Sequence, residues 1–176
     1  HFEEEYEKPP EIVWNEAAYK GDAYGVYGYE AIIVDLSVDR LTYEVKVDRV
    51  FTSTDVGRAI HPDLVRGQIA GGTVQGLGWA LTENAVFSRG SMANSQFTNY
   101  IIPTFADAPD MDLDIIENPY SRGPYGAKGI GELPHNAPAP AVVAAVRQAT
   151  GLLITELPVL PEKICHGMLM KKGRTS

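Results

Sequence analysis

Hydrophobic and polar positions change rhythm along the chain, and each rhythm predicts an element. Ala31, Ile32, Ile33, Val34 and Leu36 form a run rich in β-branched residues around Asp35. Tyr43, Val45 and Val47 then alternate with Glu44, Lys46 and Asp48. Both read as strands, paired as a hairpin or as antiparallel neighbours with one solvated face. Residues 111–117 alternate apolar and acidic side chains until Asn118 and Pro119 stop them, a further strand. Two stretches carry a helical pattern. Residues 62–85 begin on Pro62, which suits a first turn because its missing N–H would be unpaired there anyway. The alanine- and valine-rich residues 138–150 end at Gly151, placed to close a helix in the left-handed conformation.

The first helix is costly. It holds Gly67, Gly71, Gly72, Gly76 and Gly78, each about 1 kcal/mol worse than alanine. Gly67, Gly71 and Gly78 fall near one face, where another backbone or a ligand is expected to approach. Gln68 and Gln75 also share a face and need partners if buried. Residues 1–24 keep no period; Phe2, Tyr6, Trp14, Tyr19 and Tyr24 punctuate an extended arm whose aromatics dock elsewhere. Residues 88–110 connect elements, and 157–161 read as a closing extended arm. The pattern predicts an α+β fold, mainly antiparallel strands packed on two main helices. It divides into a docking arm at 1–24, a body at 25–164 and a tail at 165–176. The strands are too few to close a sheet without help.

The 176 residues suffice for one domain. The composition, 44% hydrophobic and 22% charged, excludes a disordered tail, a collagen and a coiled coil. The net charge of −8 is uneven: the first fifty residues carry −7, beginning with Glu3, Glu4, Glu5 and Glu7, and the remainder is nearly neutral. A nucleic-acid binder should show a basic face instead. The one basic cluster, Lys171, Lys172 and Arg174, reads as a solvated tail. A lone cysteine, Cys165, excludes an internal disulfide, a cysteine-based zinc site and an iron–sulfur cluster held by this chain alone. No apolar run reaches the ~20 residues of a membrane helix, and no signal peptide is expected; the default is cytoplasmic. The start at His1 suggests a processed chain or a part of something longer.

Residues 123–132 are the most informative. Gly123, Gly126, Gly129 and Gly131 describe a loop with positive φ or a close approach, bounded by Pro124 and Pro134. It holds Lys128 and Glu132. An acid on such a turn, just before an apolar helix, is placed like a general base presented to a pocket, and burial would raise its pKa. Two structural alternatives stand beside this: Glu132 caps the following helix, or it pairs with Lys128. The loop is not a phosphate-binding pattern, since no Ser or Thr follows the lysine. His61, His135 and His166 lack ligand spacing and read as ordinary surface or core residues, and Cys165 as a partly buried structural thiol.

Two segments together carry a family resemblance. The run Gly67-Gln68-Ile69-Ala70-Gly71-Gly72-Thr73-Val74-Gln75-Gly76-Leu77-Gly78 resembles the glycine-rich helix of the molybdenum hydroxylases. Gly126-Ala127-Lys128-Gly129-Ile130-Gly131-Glu132-Leu133-Pro134 resembles the loop that carries their catalytic glutamate. Xanthine dehydrogenases, aldehyde oxidases, carbon monoxide dehydrogenases and nicotinate dehydrogenases belong to that family. The order of the segments agrees over residues 24–164, and the form around Pro124 and Tyr125 looks closer to bacterial purine or nicotinate dehydrogenases.

The resemblance implies roles. Glu132 matches the general base that takes the proton from Mo–OH as its oxygen attacks an electrophilic carbon, with hydride passing to Mo=S or Mo=Se. Gln68 matches a glutamine that hydrogen-bonds an oxo ligand, Gly131 lies beside the metal, and Lys128 belongs to the cofactor-binding motif. No residue is expected to ligate the metal directly. The implied cofactor is molybdenum–molybdopterin, as the mononucleotide or the cytosine dinucleotide. Iron–sulfur clusters and FAD are expected on partner chains or domains. The implied substrate is heteroaromatic and purine- or nicotinate-like, with water as oxygen source; aldehydes are the alternative class. A non-catalytic assembly or scaffold subunit is the competing reading. The family's molybdenum subunit is several times longer, so the resemblance covers only the C-terminal part of a larger molybdopterin-binding domain. The expected partners are therefore a larger molybdenum-binding subunit, an iron–sulfur subunit and an FAD subunit, with neither nucleic acid nor membrane.

Overall fold

The computed structural model describes residues 1–3, 5 and 9–173; Glu4, Tyr6, Glu7 and Arg174, named above, lie outside the described residues. The centre is a three-stranded sheet in the order β3 (Glu30–Val38), β4 (Val45–Asp55) and β7 (Asp110–Ile116). Two short ribbons lie apart from it, β1 (Trp14–Asn15) with β2 (Lys20–Gly21), and β5 (Phe87–Ser88) with β6 (Ser91–Met92).

β3 and β4 pair antiparallel with a register shift at Asp35/Leu36, opposite Asp48. That extra residue swaps the inward set of β4 from Val45 and Val47 to Val50, Thr52 and Thr54. β7 pairs with β4 in parallel. The mainly antiparallel pattern thus holds for the hairpin but not for this strand. The chain leaves β4, runs through α1 (Pro62–Leu81) and returns along β4 in the same direction, which a parallel pair requires.

α1 and α3 (Pro138–Thr150) are the two expected helices; α1 stops at Leu81, earlier than the pattern suggests. α3 closes on Gly151 at φ 71°, the left-handed end expected of it. Residues 138–150 bury Ala139, Val142 and Val146 on one face against the sheet. A further helix, α4 (Pro161–Gly173), starts at the last residue of the expected arm and occupies most of the segment read as a tail, while residues 157–160 stay non-helical. It sends Ile164 fully into the core, and Lys171 Nζ reaches the carbonyl of Thr150 at 3.2 Å. The preceding segment is fixed by Val159 N–H donating to Ala80 O at 2.7 Å.

The glycines of α1 meet the expectation only in part: Gly78 is closely approached, by Pro103 and Glu83, while Gly67 and Gly71 are not. Gly72 and Gly76 are crowded as well: a Cβ on Gly76 would stand 2.8 Å from His135 O and from Pro138 Cγ, and one on Gly72 2.9 Å from Pro134 Cβ. Gly67 and Gly71 face open space, and Gly78 meets Pro103. The close approach is made by α2 (Leu133–Asn136), which follows the candidate loop. Gly76→Ala should therefore destabilise the chain by about 1–3 kcal/mol through overpacking. Gly67→Ala should stabilise it by about 1 kcal/mol. A denaturation series of the two variants checks this; equal or reversed shifts would contradict the packing of α1 on α2.

Candidate active site

Two loops meet at the end of β4. Asp55, its last residue, is followed by Val56 and Gly57, the latter at φ 69°. Any side chain at Gly57 would be strained, and its Cβ would stand 2.5 Å from Gly126 O and 2.7 Å from Lys128 N. The second loop lies directly on the first: Arg58 N–H donates to Gly126 O at 2.9 Å, and Lys128 N–H donates to Val56 O at 2.9 Å. Between them runs a buried ion pair, Lys128 Nζ to Asp55 Oδ2 at 2.6 Å, with the side chains 5% and 7% exposed. The other carboxylate oxygen of Asp55 accepts from Gly57 N–H at 3.0 Å. Burial pushes the Asp55 carboxyl up, but Lys128, Gly57 N–H and Asn118 outweigh it and hold it below the ordinary value. The pair's stabilisation is complete above the ordinary carboxylate range and is lost as pH falls through the lowered value.

Lys128, expected to contact a cofactor, thus turns its ammonium inward to Asp55. The sequence pattern does not single out Asp55. An acid closing an alternating strand immediately before a glycine is too common a signal.

Downstream the loop comes into the open. Gly129 and Gly131 are exposed, and a Cβ on either would meet nothing within 4 Å. Gln68, exposed on α1, donates from Nε2 to Gly131 O at 2.8 Å. An amide nitrogen carries two protons, so this bond leaves Gln68 one N–H to offer. Glu132 follows at the start of α2, exposed rather than buried as expected, because among the described residues nothing stands beside the glycines at 129 and 131 that precede it to cover it. Both structural alternatives for it fail: its side chain makes no capping hydrogen bond, and Lys128 is engaged elsewhere. Pro134, buried against Gly72, anchors the far side.

Beside Gln68 and Gly131 lies an open depression of about 390 Å³, also lined by Val56, Arg58, His61 and Leu64. His61 caps α1, its Nδ1 accepting from Leu64 N–H at 3.3 Å, an ordinary structural role. His135 stacks on Trp79 with ring centroids 5.7 Å apart. Gln75 is exposed and lies outside the depression, and Cys165 is half-buried on α4. The structure therefore brings Gln68, Gly131 and Lys128 to the lining of the depression, with the Lys128 ammonium turned away to Asp55, and leaves Glu132, the next residue of the loop, exposed just outside that lining.

Residues 2–109 match the family model for the molybdopterin cofactor-binding domain. The chain belongs to that family, within the molybdenum hydroxylases. This family member is 35% identical over 133 residues to the xanthine dehydrogenase molybdenum-binding subunit of Escherichia coli O157:H7, covering 74% of this chain and 18% of the relative. It is 38% identical over 141 residues to the nicotine 6-hydroxylase large subunit of Paenarthrobacter nicotinovorans, covering 78% and 17%. It superposes on aldehyde oxidoreductase from Desulfovibrio gigas with a TM-score of 0.81 at 30% identity, covering 90% of this chain and 17% of that one. The chain thus spans about a fifth of the curated relatives' length. Its mixed helix-and-strand architecture is that of this family, and these relatives are molybdopterin oxidoreductases. No helix among the described residues is long and apolar enough to cross a membrane.

The open wall fits one side of a large bound group. Side-chain-free backbone at Gly129 and Gly131 admits close approach, Gln68 offers an uncharged N–H, and Glu132 offers a carboxylate unpartnered among the described residues.

Proposed function

We propose that this chain forms one wall of the molybdenum site of a hydroxylase acting on a purine- or nicotinate-like heteroaromatic ring, with water as oxygen source. The observation that carries the reading is the exposed Glu132 carboxylate, without a partner among the described residues and next to Gly131, whose carbonyl Gln68 holds. When bound, the molybdenum–molybdopterin group supplies a two-electron acceptor and activates the oxygen that attacks the ring. Glu132 takes the proton released in that attack, as a carboxylate within hydrogen-bond reach can. Gln68 keeps the loop in place with one N–H and directs the other to the cofactor without adding charge. The opposite wall, which would bury Glu132, comes from a larger molybdenum-binding subunit or upstream segment. The exposed aromatics Tyr19, Tyr24 and Tyr27 dock on it. Iron–sulfur and FAD partners in the same cytoplasmic assembly carry the electrons away.

The heteroaromatic reading draws on relatives named for xanthine and nicotine. The test is molybdenum content per copy of this chain in the native assembly, with hypoxanthine, nicotinate and benzaldehyde as substrates. About one molybdenum per chain and turnover of a ring substrate are expected. Turnover of benzaldehyde alone would move the substrate class to aldehydes. An intact assembly with no molybdenum would favour the scaffold reading.

A further inference from the structure

Glu132 does nothing to hold itself in place. Its side chain has no capping bond, and Gly129 and Gly131 before it have open space beside them. Its position is set by the backbone anchors on either side. Pro134 on Gly72 and Gln68 on Gly131 O secure one end. The other end is secured at Lys128, four residues upstream.

We infer that Asp55 and Lys128 are a positioning pair for Glu132, a buried ion pair that clamps the glycine-rich loop to the end of β4 and so sets where the carboxylate stands. This rests on the reading of Glu132 as the general base. The geometry of the pair is determined at both ends. Gly57 N–H takes Asp55 Oδ1 and leaves Oδ2 for the ammonium, while Lys128 N–H is tied to Val56 O. A displaced ammonium would carry the loop with it, because Arg58 N–H and Tyr120 N–H both converge on Gly126 O of the same loop. A buried ion pair adds little net stability against an apolar pair of similar volume. Its selective effect here is on geometry, and misplacing a reacting group by ~1 Å can lower a rate about 10²-fold.

The experiment uses the intact molybdenum-containing protein, assayed with a dye acceptor and whichever of hypoxanthine, nicotinate or benzaldehyde the parent oxidises. Lys128→Met alone leaves Asp55 buried without a partner and is the variant more prone to misfold. Asp55→Asn combined with Lys128→Met removes both charges at nearly constant volume. The double variant should keep its molybdenum content and its KM within about twofold while kcat falls about 10- to 10²-fold. An unchanged kcat would overturn the inference. So would a joint loss of molybdenum and rise in KM, which would assign the pair to ligand binding, or failure of both variants to assemble, which would make it purely structural. Glu132→Gln is measured alongside. Full turnover there removes the base and the positioning pair together; lost turnover there with full kcat in the double variant removes the pair alone.

Discussion

Glu132→Gln should leave the fold and the molybdenum content in place and lower turnover by about 10²- to 10⁴-fold, the usual contribution of a positioned acid–base group. The substitution is nearly isosteric, and the side chain it replaces is exposed, makes no capping hydrogen bond and pairs with no cation among the described residues. Stability is therefore expected to be unchanged, and a side chain with no role at all would leave turnover unchanged too. The Gln side chain cannot accept the proton that a carboxylate accepts, so a base would show as lost kcat. Kinetics and metal analysis on the same preparation separate the outcomes. Turnover equal to the parent's would end the assignment of Glu132. Loss of molybdenum together with turnover would make it a cofactor-holding residue instead.

Ile164→Ala should destabilise the protein by about 2–5 kcal/mol, the cost of a cavity left by a large aliphatic side chain. Ile164 is fully buried in α4 and belongs to the cluster that includes Val142, Val146 and Val159. Leu169, on the same helix, is 60% exposed, and Leu169→Ala should stay within about 0.5 kcal/mol. Denaturant midpoints of the two variants decide the matter. Equal small effects would mean that residues 161–173 lie loosely on the core, as a solvated tail would.

The helix α4 shows why part of the fold is hard to read from sequence. It holds no strong period, mixes lysines with methionines, and follows the proline-rich residues 157–161. Its helicity is held by a few deep contacts, Ile164 above all, that no local pattern announces. The glycines of α1 show a similar limit. Their number signals a close approach, but five glycines in one helix touch more than one face. Only the packing of α2 distinguishes the crowded Gly72 and Gly76 from the open Gly67 and Gly71.

The candidate site divides in the same way. Gln68, Gly131 and Glu132 are expected as site residues from the resemblance of two local motifs, and the structure adds that Gln68 hydrogen-bonds Gly131 O and that Glu132 is exposed beside it. The family resemblance rests on those local motifs, and membership in the molybdopterin-binding family agrees with it. Sequence by itself also determined the β3–β4 hairpin, both long helices and the left-handed stop at Gly151, since alternation, capping and turn chemistry act between near neighbours. Tertiary structure alone decided that β7 runs parallel to β4, that Lys128 turns inward to Asp55, and that Glu132 stands in the open on this chain. The first two of these join residues more than 60 positions apart. They depend on burial and Coulombic pairing between segments, which no short-range pattern encodes.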